Sequence, residues 1–569
     1  MAPKKTGEGA AQTAVAEPVT SAPAFRLAGP EESAAGTAVW TAQTGTVGTV
    51  ASVQGDRGIQ LRGYGLLIGL EGPGSSKMSK SMSEYLQKEI SRLQRAELGP
   101  ATDASPLQLI QDPHSAPVIV RGEIPPAAVK GTRFDVMVQV LDRDVRSLAG
   151  GVLLPCSLRL VLNPDAPLEG RVLARAAGRV FTNPFARGEG NPGDTAPGQG
   201  RILGGGWSIE NRRISLILAT PGYGMVQQIS QLLNNRFGSQ PKTADAVSPT
   251  TITLAVPRAY TGREMQFVTL ALHMPLTGST GETEARAKAL TDELARPGAP
   301  AEEIALCLEA IGKPAIAMVR RHYAHHQRAT SFYAARTGAR LGDPLSVEVL
   351  RRHAMERNGL YRQAAIQELG DTKAYPAAVS TTLRELLDDE DALVRIAAYE
   401  ALRRQRDPCL ESRAVGQDNF VLDIVPSKGP GIVYARRTQQ RRIALIGTAL
   451  RCREPLLYAY PERPVTISAR VGDNRIALVR KVGGGRRVWD PIQVSFAVAD
   501  LVRALGSDPT EGPDGQPEGL GIDYTVVLDV LAELCRDKSI PAEFRLEQPT
   551  VTDLLGPAEP VTRPESDEL

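Results

Sequence analysis

The sequence predicts an α+β protein built in series: two small α+β units, an all-helical segment, and a final, mainly antiparallel β domain with a helix. Three observations predict it. Alternating and glycine-punctuated apolar runs dominate to about residue 280, dense Ala, Leu, Glu and Arg without strand signal fills 281–410, and short alternating runs return over 411–549. A chain of 569 residues with 42% apolar and 23% charged residues is too long for one core and has an ordinary globular composition. A net charge of +2 creates no long-range field that demands nucleic acid or an acidic membrane as partner. No apolar stretch approaches the roughly 18 residues that cross a bilayer as a helix.

Residues 1–40 read as a disordered tail, because Met1 to Ser33 is rich in Ala, Pro, Glu and Thr and lacks the continuous apolar core of a secretion signal. The first α+β unit, 41–182, opens with a polar turn at Gly55 to Gly58. An apolar strand from Tyr64 to Leu70 follows, buried on both faces, with Gly63, Gly65 and Gly69 where another backbone comes too close for a Cβ. Met78, Met82, Tyr85, Leu86, Ile90 and Leu93 recur at helical spacing over Lys77 to Leu98. Strands are expected at Pro117 to Val120 and at Phe134 to Leu141, after which Gly150-Gly151 turns the chain back. The Gly/Pro/Asn-rich stretch 183–206 reads as a long surface loop. In the second unit, 207–280, the run ISLILA from Ile214 is a strand, Thr220-Pro221 starts a helix with Val226, Ile229, Leu232 and Leu233 inward, Gly238 stops it, and Ile252, Leu254 and Val256 form the returning strand.

Four ordered blocks of this region resemble the bacterial flagellar P-ring proteins: ASVQGDRGIQLRGYGLLIGLEGPG, GTRFDVMVQVLDRDVRSLAGGVLL, RISLILATPGYGMVQQISQLLNNRFG, and TTITLAVPRAY with FVTLALHMPL, together spanning about 45–278. The resemblance implies a structural subunit with no catalytic, cofactor or metal site. It implies periplasmic location in the basal body, with many copies joined head to tail as a bushing around the rod. Implied partners are further copies of itself, the flagellar rod, the outer ring proteins and, as a further candidate, peptidoglycan; nucleic acid is not among them. Gly63, Tyr64, Gly65, Gly69, Gly150 and Gly151 are the candidates for fixing the subunit fold and its close neighbours, with purely intradomain packing as the alternative. The family is exported, so the lack of a visible signal points to a start upstream, with a removed signal or a divergent export route as alternatives. The usual carboxyl-terminal portion of the family is not recognisable after Leu276.

The helical segment carries an internal echo. Leu383 to Pro408 resembles a HEAT-type repeat, and Tyr361 to Asp371 repeats its pattern thirty-odd residues earlier; a plain helical bundle is the alternative. Such a segment binds or spaces, so an unknown protein is expected on it, and an envelope scaffold that recruits this partner is the second functional reading. The third is an enzyme in the last domain.

In 411–549, the runs VLDIVPS, GIVYARRT, RIALIGTAL, VTISARVG and NRIALVRKV predict strands and Asp523 to Arg536 a helix; 550–569 reads as a disordered acidic tail. His322, His325 and His326 lie one helical turn apart but have no carboxylate or thiol to complete a metal set, so they read as a solvated face. Gly429-Pro430-Gly431 lacks the order of a phosphate loop and reads as a hairpin turn. Gly483 to Gly485 before Arg486-Arg487 reads as a flexible turn, and Arg436-Arg437 and Arg441-Arg442 as solvated charge. The five cysteines are scattered; Cys156 and Cys307 suit buried free thiols, and a Cys409 to Cys452 disulfide is the one pairing considered.

Overall fold

A computed structural model describes residues 44–548 apart from 96–103, 143, 146, 162–169, 183–197, 277–278, 374–375, 418, 460–463, 483–485, 488–490 and 511–517. The two expected tails and the Gly483 to Gly485 turn therefore lie outside the described residues.

The first expected α+β unit is a closed six-stranded barrel. Ile59–Ile68 pairs with Ala116–Ile124, then follow Arg133–Val140, Gln199–Ser208, Val172–Arg179 and Val152–Leu160, which returns to Ile59–Ile68. Every pairing is antiparallel, and the fourth strand in sequence lies beside the first, a Greek-key order. The period-2 alternation of Ile59–Ile68 decides its two faces: Leu61 and Leu67 join the barrel core, whereas Tyr64 and Leu66 point outward under the helix Lys80–Arg95. That helix buries Leu86 and Ile90 against them. Gln199–Ser208 occupies what reads as loop in the sequence. Its glycines suit a narrow barrel, since a Cβ on Gly206 would lie 2.4 Å from the Phe134 ring.

The barrel is inserted into the second unit. Ala51–Gln54, which precedes it, pairs with Ile214–Leu218, which follows it; Thr251–Leu254 and Ala244–Ala246 complete an antiparallel sheet of four strands. The helices Tyr223–Phe237 and Glu264–His273 cover this sheet through Val226, Ile229, Leu233, Phe267 and Leu270. Gly238 ends the first of them at φ 122°, where a side chain would be strained.

Thr280–Leu294 begins the helical segment, which continues through Ala301–Ile311, a run of short turns to His322, Arg328–Leu341, Leu345–Met355, Arg362–Asp371, Pro376–Leu386 and Ala392–Gln405. Each major helix packs on its successor, and Ala301–Ile311, Arg328–Leu341, Arg362–Asp371 and Ala392–Gln405 also form a stacked series. Asp391 caps the last helix through the Leu393 N–H, and Arg406 leaves it in the left-handed region.

The last region holds two sheets. Glu411–Val415, Phe420–Val425, Arg442–Ile446, Gly431–Ala435 and Ala542–Leu546 form the first in that order, and two of its pairings are parallel rather than antiparallel. Leu456–Ala459, Val465–Ala469, Ile476–Val482 and Arg486–Arg487 form the second, with Ile492–Val494 on Ile476–Val482. Because Arg442–Ile446 lies between Phe420–Val425 and Gly431–Ala435, Gly429 to Gly431 is a crossover connection and not the expected hairpin turn. The first sheet is buried on both faces. Ile432, Tyr434, Ala444 and Ile446 join the core of the helical segment, while Val433, Ala435, Ile443 and Leu445 face Val498–Gly506 and Tyr524–Arg536.

Candidate functional site

The six candidate residues lie along the barrel seam between Ile59–Ile68 and Val152–Leu160. Gly63 and Gly65 face inward, where a Cβ would stand 2.3 Å from the Ser157 carbonyl oxygen and 2.7 Å from Leu153 Cδ1 respectively. Gly69 and Gly150 form two left-handed turns at the same end of the seam, with φ 72° and 75°, joined by the Glu71 N–H donating to the Ala149 oxygen at 3.0 Å. A Cβ on Gly151 would meet Leu70 Cδ2 at 2.9 Å. Tyr64 points outward and packs edge to face on Tyr85 of the covering helix, ring centroids 6.4 Å apart. Arg92 then pins that helix, donating to Glu89 at 2.8 Å and to the Ser157 hydroxyl at 2.7 Å. All six residues are thus engaged inside the chain.

Three clamps join the barrel and its neighbours. At the barrel base Arg212 donates to the carbonyl oxygens of Ile124, Pro125, Gly55 and Arg57. Arg236 donates to the carbonyl oxygens of Glu309 and Ala310, tying the four-stranded sheet unit to the helix Ala301–Ile311. Asp135 on the barrel accepts from the Gln439 N–H at 3.0 Å, and Phe181 packs on Tyr524 at 6.0 Å, tying the barrel to the last region. A fourth joint closes the circuit: buried Asp423 accepts from Tyr399 of the helical segment, from Ser412 at 2.6 Å, and from Arg442.

Four of the five thiols are buried, and Cys409 is partly exposed. None of the five cysteines is in a disulfide, so Cys409 and Cys452 are not paired; Cys156 and Cys307 are buried, as their apolar surroundings predict. Burial pushes the thiols of Cys307, Cys452 and Cys535 up to about 12, and burial together with Asp407 pushes Cys409 up to about 11, so none supplies a thiolate at neutral pH. The rings of His322, His325 and His326 pack in tilted arrangements with centroids 5.7 and 4.3 Å apart, and no metal-ligand cluster of three or more His, Cys, Asp or Glu occurs among the described residues. Arg436 and Arg442 are not solvated charge: the first pairs with Glu547 and the second with Asp423.

The exposed surface carries a feature the sequence reading passes over. Tyr223, 71% exposed, Val247, 65% exposed, and Met225 crowd one end of the four-stranded sheet, where the Gly222 N–H donates to the Pro249 oxygen. The available signal was an aromatic immediately after Thr220-Pro221-Gly222, at the first helical position.

Fold and joints together define a braced, multi-part chain. Residues 46–286 match the family model of the flagellar P-ring protein. Among curated relatives, the flagellar P-ring proteins of Geobacter metallireducens and Geobacter sulfurreducens are each 31% identical, over 229 and 231 residues, covering 38% of this chain and 58% and 57% of theirs. That of Aquifex aeolicus is 31% identical over 220 residues, 37% of this chain and 56% of its own. The chain thus spans a little under three fifths of the curated relatives it matches. Residues 46–286 are thus similar to the flagellar P-ring proteins.

Proposed function

We propose that this chain is a structural subunit of the flagellar basal-body P ring, assembling around the rod as a bushing and needed for flagellum-dependent motility. The match of residues 46–286, which takes in the whole barrel and the whole four-stranded sheet unit, carries the reading. Copies meet head to tail through unlike surfaces, the arrangement that closes a ring. The apolar end at Tyr223, Met225 and Val247 is one such surface, and the seam of Gly63, Tyr64, Gly65, Gly69, Gly150 and Gly151 holds the barrel in the shape its neighbours meet. The location is the periplasm, with rod and outer ring proteins as partners and peptidoglycan as a further candidate.

Residues 281–410 act as a HEAT-like array, supported by the stacked series of helices. One observation favours a second reading, an envelope scaffold that recruits a protein through this array: Leu360 is 84% exposed at a turn of the array. Electron microscopy of basal bodies from the native host, labelled with antibody to residues 415–549, separates the two. Label in a ring around the rod, lost with motility on deletion, supports the ring subunit; unlabelled rings in a swimming deletion strain overturn it in favour of the scaffold.

A further inference from the structure

One face of the helical segment is more basic than its neutral net charge suggests. From Ile311 to Leu341 the chain carries Lys313, Arg320, Arg321, Arg328, Arg336 and Arg340 with three histidines and no acid. Other elements neutralise several of these: Asp343 pairs with Arg320, Glu302 with Arg336, and Glu309 and Glu368 with Arg340. Of the rest, His325 and Arg328 line a pocket of about 360 Å³ together with Ser331, Arg352, His353 and Glu356, with Val349 as its apolar part. Glu356 pairs with Arg328, while Arg352 makes no ion pair among the described residues, so the pocket keeps an excess of positive charge.

We propose that this pocket binds a tetrahedral oxyanion, phosphate or sulfate, free or as an ester. Hydrogen-bond directions around it leave the His325 Nε2 proton uncommitted, while Ser331 and His353 spend theirs within the pocket wall. The Gln327 N–H donates to His325 Nδ1 at 3.2 Å, which places the His325 proton on Nε2. The single Ser331 hydroxyl proton goes to the Tyr323 oxygen at 2.9 Å, so the contact of 3.2 Å between Ser331 Oγ and His353 Nε2 is a donation from the histidine. Arg352 adds a guanidinium fork, the geometry that suits a tetrahedral oxyanion.

Binding is coupled to a proton. His353 faces Arg328, Ser331 and the Phe332 ring from the helix Arg328–Leu341, Tyr361 from the following turn, and Arg352 and Glu356 from its own end. Burial, then Arg352 and Arg328, hold its pKa below the usual imidazole value, so it is neutral at pH 7. An anion between the two guanidiniums offsets their charge and lets His353 take up a proton, which makes binding tighter as pH falls. The pocket belongs to the helical segment, beyond the region shared with the P-ring relatives, and the inference does not depend on ring assembly.

Calorimetric titration of the full chain with sodium sulfate, whose own charge is constant across the range, tests this at about pH 6 and about pH 8. The expected result is binding a few-fold tighter at the lower pH, with net proton uptake, since a one-unit rise in the His353 pKa reaches its full, roughly tenfold effect only well below the free-state value. Arg352→Gln loses binding, whereas Arg351→Gln, which disturbs only the exposed pair with Glu348, retains it. No heat of binding, equal binding by Arg352→Gln, or equal affinity at the two pH values overturns the proposal. Glycerol phosphate as a second titrant distinguishes the sources: binding like sulfate assigns an esterified ligand, and exclusion with sulfate still bound assigns the free ion.

Discussion

Gly63→Ala isolates the close approach on which the barrel rests. The added methyl would lie 2.3 Å from the Ser157 carbonyl oxygen and 3.0 Å from Leu158 Cδ2; the first neighbour is backbone and cannot swing aside. Overpacking of a filled core costs about 1–3 kcal/mol, and a backbone obstacle places this change near 3. Gly72→Ala is the control, since its Cβ meets nothing within 4 Å and its φ is not positive; loss of unfolded-state freedom makes it neutral or stabilising by up to about 1 kcal/mol. Of the tryptophans at 40, 207 and 489, Trp207 belongs to a barrel strand, where Arg133 lies 5.1 Å over its ring. Replacing the other two by Phe makes fluorescence report on the barrel alone. With an m-value of about 3 kcal/mol/M in urea, the Gly63→Ala midpoint should fall by about 1 M while Gly72→Ala stays put or rises. Coincident midpoints for the two variants would refute the seam.

Asp423→Ala should destabilise the joint between helical segment and last sheet by about 3–5 kcal/mol, because it leaves Arg442 uncompensated and Tyr399 unpartnered. Hydrogen exchange in Ala392–Gln405 and Phe420–Val425 should quicken together, and unchanged protection would count against it. Burial alone would raise the carboxyl of Asp407, but the Cys409 N–H, Ser380 and Arg384 hold it down from 3.8 to about 2. Its folded-state pKa is depressed, so its stabilisation is present above about pH 4 and lost toward pH 2; the stability gap between wild type and Asp407→Asn should close over that window and persist at neutral pH. A colorimetric thiol reagent should modify Cys409 alone in the native protein and all five cysteines after unfolding; fewer than five would reveal a disulfide.

The helices were legible because their evidence is local. Apolar spacing over Val226 to Leu233 and Leu383 to Leu402 is a property of neighbouring turns, and both regions are helical within a few residues of expectation. The barrel was not legible as a barrel. Val172–Arg179 and Gln199–Ser208 hide as strands because their interior positions are Ala174, Ala176 and glycines, small enough to leave room for Phe134, Leu153 and Leu158. Nor could a pattern of alternation reveal that Ala51–Gln54 pairs with Ile214–Leu218 across the whole inserted barrel, or that Gly431–Ala435 and Ala542–Leu546 run parallel. Pairing of that kind is decided by tertiary packing. For the candidate residues, the glycines were recognisable as points of close approach, while the partners they approach were not.

The border of family likeness has a physical meaning in this chain. It falls at residue 286, inside the helix Thr280–Leu294 and not in a linker. Beyond it, Leu306 and Ala310 of the helix Ala301–Ile311 complete the core made by Phe267, Val268, Leu270 and Ala271 of the sheet unit. Arg236 fixes the same helix through its last carbonyls, which carry the negative end of the helix dipole. The last region in turn seats Leu203 and Phe181 of the barrel in its own core. The part unlike the P-ring relatives is therefore not a tethered passenger: it covers apolar surface on both the sheet unit and the barrel. Any assembly built from this subunit must use the faces that this closure leaves open, and the end carrying Tyr223, Met225 and Val247 is one of them.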